Sequence, residues 1–420
     1  MSGYRKSKRS HSDEGRRSRF KQQRYEWSDQ LTGEGHFQVV LGADIDDRKR
    51  YKIIMYLGHG TFGKVVLAFD RVQRHLCAVK IIQNKRRYIE DARYEIRNMK
   101  LICREDPSDK AHCVRYLGEF DNYTGHLCIL MSQHGPNLLK HISEKPIELH
   151  HVAEICFQLL ETLDFMHRKL NFVHSDLKPE NILSDRWKDN KKPFDSYRRP
   201  WEHWDSKVRE KAARSSIFFI RLCDFGGCQR ESRSSEGRSS IIQTRHYRAP
   251  EVVLRAGWHS PADMWSVGCI AFEIATGRLL YDTHNDQEHI AMMGKHIGFE
   301  TFPYNAWKRV IPREQVEWFS RDGAFVWPPS LSQSTLSRKS YQESLDRVDA
   351  EKRIGSMLRD RLGSCPDLED FVLRCLTWDP RKRLTAREGL DHRFLREAAA
   401  EFDRYRASIA NTHTNGHNER

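Results

Sequence analysis

His174-Ser175-Asp176-Leu177-Lys178-Pro179-Glu180-Asn181 is a short polar run that follows an apolar helical pattern and directly precedes Ile182-Leu183. Its spacing divides three tasks among three side chains. Asp176 can accept a hydroxyl proton, Lys178 can neutralise a transferring phosphate, and Asn181 can hold a metal. Two other stretches give the octet its context: Asp224-Phe225-Gly226 follows it, and Gly58-His59-Gly60-Thr61-Phe62-Gly63-Lys64-Val65 with Lys80 precedes it. A phosphoryl-transfer site requires that order, and chance seldom produces it.

Upstream of the octet the chain reads as strands. Tyr51 to Gly58, Lys64 to Asp70 and His75 to Ile82 are β-rich and separated by Gly or polar turns. Tyr88 to Cys103 carries Ile89, Ala92, Ile96 and Met99 at helical spacing and stops at Asp106-Pro107. Val114 to Phe120 and Leu127 to Met131 add two strands. A small antiparallel sheet with one helix is therefore expected over 51–131, followed by a connector at 132–135. Gly35 to Gly42 alternates weakly, which predicts an extra strand or hairpin within 31–50. Residues 1–30 are rich in Arg, Lys and Ser, with too few apolar side chains to offset the entropy of ordering, and read as a disordered basic tail.

Downstream the pattern turns helical over 136–395. His151 to His167 sets Val152, Ile155, Leu159, Leu163 and Met166 on one face, and Ala262 to Thr276 is a second apolar helix closed by Gly277. The stretches at about 185–216 and about 300–363 read as irregular insertions. Leu368 to Leu376 and Ala386 to Leu390 are the last expected helices, with 396–420 as a C-terminal tail. The fold class is α+β.

Composition narrows the field. The ten cysteines form no CxxC pair and no metal spacing with histidine, so reduced thiols are expected rather than a disulfide framework. No stretch approaches eighteen apolar residues and the N-terminus has no apolar core, so neither a membrane span nor secretion is expected. The net charge of +13 suits a nuclear protein or one with acidic partners, although much of the excess lies in the N-terminal tail.

The glycines Gly58, Gly60 and Gly63 let the backbone close over phosphates with its amides turned inward. They sit between two strands, which disfavours a dinucleotide fold, and Val65 and Ala78 can then cover an adenine ring. Lys80 is assigned to the α and β phosphates, with Glu95 as the acid that fixes it. Asp176 is the proposed proton acceptor, Lys178 the partner of the γ-phosphate, and Asn181 and Asp224 the ligands of Mg²⁺ completed by ATP. Leu183 is expected beneath the adenine. His174 and Phe225 are read as packing residues.

With these motifs in place, the chain resembles a eukaryotic protein kinase. The motif order is recognised from that family, and further matches are Ala249-Pro250-Glu251, Asp263-Met264-Trp265-Ser266-Val267-Gly268 and Arg383, which in this family closes a buried ion pair with the residue matching Glu251. The resemblance covers about Tyr51 to Leu395 and implies the bilobal kinase fold, with a small β-rich lobe (51–131), a hinge (132–135) and a larger helical lobe (136–395). Thr244-Arg245-His246-Tyr247-Arg248 resembles the CMGC group. Glu288-His289-Ile290-Ala291-Met292-Met293 resembles the LAMMER, or cdc2-like, signature, with departures around Gly294-Lys295-His296. The resemblance also implies Leu57, Met131 and Gln133 as ATP contacts and Thr244, Arg248 and Glu180 as substrate-positioning residues.

LAMMER kinases are similar to one another in phosphorylating Arg/Ser-rich splicing factors and in autophosphorylating on Ser, Thr and Tyr. The resemblance therefore implies a dual-specificity enzyme in the nucleus, with cytoplasm as a second location, working as a monomer on Arg/Ser-rich proteins. Glu180, Asp282, Asp286 and Glu288 are the acids expected to receive substrate arginines. The overall positive charge repels a basic peptide at long range, so that either the acids cluster at the groove or the substrates differ, with cell-cycle or chromosome-associated proteins as the alternative. The position before Asp176 holds Ser175 where many kinases carry an Arg for an activation-loop phosphate, so activity without an upstream activating kinase is expected. A non-catalytic scaffold is the rival class, and an RNA-associated module using Trp187, Trp201 and Trp204 is another. The intact Lys80, Asp176 and Asp224 disfavour the scaffold, and direct nucleic-acid binding is not expected.

Overall fold

The computed structural model describes residues 35–60, 62–184, 217–232, 234, 237–329 and 337–415, with side chains as far as Ser408. The expected basic tail at 1–30 and the insertion at about 185–216 lie outside the described residues. The chain divides into two compact units, one holding residues up to Ile96 and Tyr116–Gln133, the other Arg97–Arg115 and most of the chain from His134 onward. Among the described residues, no helix is long and apolar enough to cross a membrane.

The first unit is a five-stranded antiparallel sheet in the order β1-β2-β3-β5-β4, formed by β1 (Tyr51–Gly60), β2 (Gly63–Asp70), β3 (His75–Ile82), β4 (Tyr116–Asp121) and β5 (Leu127–Met131). Alternation sends Ile53, Val66, Ala68, Cys77, Val79, Ile81 and Leu130 into one core. The segment expected as an extra strand or hairpin is instead an irregular strap. Gly42 and Ile45 donate their amides to the carbonyls of Ile53 and Tyr51, but only Asp44 forms a β-bridge, with Lys52. Burial of Phe37 and Ile45 in the core holds the strap in place. Helix α1 (Arg86–Glu105) follows β3.

In the second unit, α2 (Leu138–Ile142) precedes α3 (Leu149–Asp164), which continues as a π-helical turn over Phe165–Leu170 and ends at Asn171 with φ 57°. Short strands then hold the loops: β6 (Phe172–Val173) pairs with β9 (Gln229–Arg230), and β7 (Ile182–Ser184) pairs with β8 (Ile220–Leu222). After the short α4 (Pro250–Val253), helix α5 (Pro261–Thr276) is buried at every position from Ala262 to Thr276. A helix apolar on nearly all sides belongs at the centre of its unit. Gly277, with φ 70°, closes it as expected.

Two expectations change here. The stretch at about 300–363 is not uniformly irregular: after α6 (Asp286–Ile297) come α7 (Tyr304–Trp307), α8 (Arg313–Val316), α9 (Arg338–Ala350) and α10 (Ile354–Leu362). Its charged sequence hid helices that dock on other elements, α9 on α6 and α10 on α5. After α11 (Pro366–Cys375) and α12 (Ala386–Leu390), the expected tail begins as helix α13 (Arg396–Asn415), with Phe402 buried against Phe157 and Phe219. One buried ring and a few small residues gave too weak a periodic signal to mark it.

Candidate active site

In the first unit, antiparallel register puts Lys80 opposite Val65 on β2, and Ala78 opposite Met131 on β5. Lys80 Nζ donates to both carboxylate oxygens of Glu95, at 2.9 and 2.7 Å. Both side chains are largely buried, so the pair is held in a fixed geometry. The three glycines differ in their reasons. A Cβ on Gly58 or Gly60 would meet open space, whereas one on Gly63 would overlap the carbonyl of Ile81. Gly63 is thus required by the approach of β3. Gln133 is buried, Met131 and Val65 are half-buried, and Leu57 is exposed.

In the second unit, β6 delivers the octet and α5 anchors it. The amides of His174 and Ser175 donate to the fully buried carboxylate of Asp263 at 2.8 and 3.0 Å, and His167 Nε2 lies 2.9 Å from the same group. Ser175 has φ 69°, a left-handed conformation these bonds maintain. Its hydroxyl donates to the Gly227 carbonyl at 2.7 Å and its carbonyl accepts from Gln243 N. Where a phosphate-binding Arg was absent from the sequence, Ser175 instead ties together three loops directly.

Asp176 sits in a small ring of bonds. Its Oδ1 accepts from the Thr244 hydroxyl at 2.7 Å, its Oδ2 from Lys178 Nζ at 2.7 Å, and Lys178 also donates to Thr244 Oγ1 at 3.0 Å. Burial pulls the Asp176 pKa up, but the bonds from Lys178 and Thr244 outweigh it and hold the carboxylate below its ordinary range. Asn181 Nδ2 donates to the Asp176 carbonyl at 2.9 Å, which commits the nitrogen and leaves the amide oxygen for a cation. Asp224 stands at φ 65° at the head of the Phe225–Gly227 turn. Together they offer an amide and a carboxylate oxygen, the hard donors a divalent metal takes. Phe225 is fully buried edge-on to His174, with ring centroids 5.9 Å apart, in keeping with packing roles for both. Leu183 lies on β7, bridged to Asn137.

Asp263, Gln243 and Asn98, whose Nδ2 donates to the Phe225 carbonyl at 2.9 Å, were not assigned roles from the sequence. Nor was Glu273, an acid inside the buried α5 that accepts from the Tyr247 hydroxyl at 2.7 Å. Burial pushes Glu273 up to about 7 against the lowering effect of Tyr247, and the Glu180 charge adds to the rise. Glu180 Oε2 is itself buried without a hydrogen-bond partner. Two acids, Asp263 and Glu273, in an otherwise largely apolar helix were the available signal.

The other acids expected to receive arginines are mostly committed. Glu288 is fully buried and bound by Arg347 at 2.9 and 3.1 Å and by the Ser344 hydroxyl, and Asp286 pairs with Arg245 at 2.5 Å. Docking of α9 on α6 buries Glu288, which the sequence spacing did not reveal. Asp282 remains exposed. Arg248 donates to the carbonyls of Ile242 and Gln243, holding the loop after Thr244. The expected pair of Glu251 and Arg383 is present, with both side chains fully buried and bonds of 2.7 and 2.9 Å.

Comparison with known proteins agrees with this geometry. Residues 51–395 match the protein kinase domain family. The chain is 34% identical over 367 residues to the dual specificity protein kinase lkh1 of Schizosaccharomyces pombe, covering 86% of this chain and 49% of lkh1. It is 35% identical over 372 residues to the serine/threonine-protein kinase AFC2 of Arabidopsis thaliana, covering 86% of this chain and 80% of AFC2. The chain thus spans about half the length of the first relative and four fifths of the second. Among solved structures, the crystal structure of a kinase domain superposes with a TM-score of 0.69 at 28% identity, over 86% of this chain and 99% of that one. Identity sustained across the whole matched domain means that the chain belongs to the protein kinase family, in the LAMMER (cdc2-like) branch of its CMGC group.

Proposed function

We propose that the chain transfers the γ-phosphate of ATP, with Mg²⁺, to Ser or Thr in Arg/Ser-rich protein segments, and to its own Tyr. Asp176 orients and deprotonates the substrate hydroxyl, Lys178 and Lys80 neutralise phosphate charge, Glu95 fixes Lys80, and Asn181 and Asp224 hold the metal. Thr244 keeps Asp176 in position. The observation that carries the substrate class is the acid pair of Glu180 and Glu273: an unbonded carboxylate oxygen beside a carboxyl raised to about 7 is short of positive charge. A substrate guanidinium supplies it. The names of the relatives, serine/threonine and dual-specificity kinases, support the acceptor class. A basic N-terminus supports a nuclear location, and a monomer is the proposed state.

Steady-state transfer to Arg/Ser, Ser-Pro and acidic peptides tests the reading. We expect Glu180→Gln to raise KM for the Arg/Ser peptide about tenfold, in line with loss of a charge-assisted bond, and to leave KM for ATP unchanged. Equal use of all three peptides by the wild type would discard the Arg/Ser assignment while keeping the chemistry. The internal commitment of Asp286 and Glu288 supports a second reading, in which other nuclear proteins are the substrates. Preference for the Ser-Pro peptide would favour it.

A further inference from the structure

The edge of the first unit nearest the N-terminus gathers positive charge without a counter-charge. The Gly35 carbonyl accepts from Asn84 N at 2.8 Å and lies 3.2 Å from His126 Nε2, which pins His36 beside Lys85 and His126. Lys64 faces His59 across the register of β1 and β2. Lys64 is only 6% exposed, and its side chain makes no hydrogen bond or ion pair among the described residues. His36 Nδ1 is enclosed and also has no hydrogen-bond partner. His126 is occupied otherwise, with Nδ1 at the Thr124 hydroxyl and Nε2 at Gly35, so it serves as a wall. No carboxylate pairs with His36, His59, Lys64 or Lys85 among the described residues.

Carrying an unpaired ammonium on a mostly buried side chain is unfavourable, and gathering more cations around it adds repulsion. Burial lowers the pKa of Lys64, and burial followed by the charges of Lys64, Lys85, His126 and His59 lowers that of His36. An arrangement of this kind is completed by an anion rather than by water. We propose that the recess formed by His36, Lys64, Lys85 and His59 is a binding site for a phosphate monoester. A phosphate brings close to two negative charges and three acceptor oxygens, enough for the unpaired Lys64 ammonium, the orphaned ring nitrogen and the exposed Lys85 together.

Two sources share this chemistry. One is free phosphate. The other is phosphoserine within residues 1–34, where Ser7, Ser10 and Ser18 stand among Lys6, Lys8, Arg9, Arg17 and Arg19. That stretch joins the fold at Gly35, next to His36, so a phosphate on it is presented at high effective concentration. Without phosphate its basic residues are repelled by the recess, which makes the site a reader of phosphorylation.

The test uses the dephosphorylated full chain with a saturating non-hydrolysable ATP analogue, so that binding at the nucleotide site is not read. Inorganic phosphate, a peptide of residues 12–24 phosphorylated at Ser18, and its unphosphorylated form are titrated by calorimetry, with thermal melts of each variant in parallel. The expected result is binding of phosphate or phosphopeptide that weakens at least about tenfold in Lys64→Gln and in His36→Gln. Lys64→Arg should restore it, and Arg74→Gln, at an exposed cation in the turn between β2 and β3, should leave it unchanged. Tenfold tighter binding of the phosphopeptide than of inorganic phosphate supports the tail as source, and equal affinities support free phosphate. Absence of binding, binding of the unphosphorylated peptide equal to that of the phosphopeptide, or a loss in Arg74→Gln equal to that in His36→Gln overturns the proposal. His36→Gln decides the matter alone if Lys64→Gln melts early.

Discussion

Asp176 shows how one residue can be held ready without being locked. Two bonds from Lys178 and Thr244 keep it ionised below the ordinary carboxylate range, so a loss of activity on mild acidification has to come from another group. Asp176→Asn keeps the size and some of these bonds but cannot take a proton. Its rate of phosphate transfer in single turnover should fall about 10² to 10⁴-fold, with ATP affinity little changed. Glu273 behaves in the opposite way. Its folded pKa of about 7 lies above the unfolded value, so the folded state holds the proton more tightly. That contribution is complete below the unfolded pKa and is lost as pH rises through the folded one. Glu273→Gln removes the loss: the variant should exceed wild type in stability by about 1–3 kcal/mol at pH 8 and match it near pH 5. Denaturant titrations at the two pH values check this, and a difference independent of pH would refute it.

At the scale of elements, the pairing of α6 with α9 is the contact most exposed to a single change. Glu288, at the start of α6, is fully buried, and its carboxylate depends on Arg347, on Ser344 and on the capping Asn285. His296 and Lys295, farther along α6, add bonds to Glu351 and Asp349. Arg347→Ala leaves a buried carboxylate with fewer partners, which should cost about 1–3 kcal/mol. Amide exchange over Arg338–Ala350 should speed up before exchange in α5 does. Uniform exchange in wild type and variant would mean that apolar packing, not the ion pair, holds α9. The element explains a limit of sequence reading as well. Glu288 in a charged signature looks available to a substrate, and only a helix from a separate stretch of chain takes it out of reach.

On the whole-molecule scale, the C-terminal helix is part of the fold. Phe402 stacks on Phe157 with centroids 5.3 Å apart, and Arg406 pairs with Glu161. Truncation after Leu395 removes the ring and should destabilise the second unit by about 3–5 kcal/mol, read as an early melting transition. An unchanged melt would return α13 to the status of a tail.

Most of the chemistry was legible in the sequence because it depends on local spacing. Lys80, Asp176, Lys178, Asn181 and Asp224 stand in motifs whose residues lie within a few positions of one another, and the strands around Lys80 show a period of two. The pair of Lys80 with Glu95 was read from the strand and the helix that follows it, that of Glu251 with Arg383 came from the family resemblance, and both are formed. What the sequence left open involves partners far apart along the chain. Asp263 holds the His174 and Ser175 amides across 89 and 88 positions, Arg347 occupies Glu288 across 59, and Phe402 fills a gap beside Phe157. The sequence by itself determined the fold class and the protein kinase family, since motif order and hydrophobic period encode those directly. Only the tertiary structure decided which acids stay free for a substrate, which lysine is buried without a partner and which charged stretches are docked helices, because burial and pairing depend on distances that no interval along the chain records.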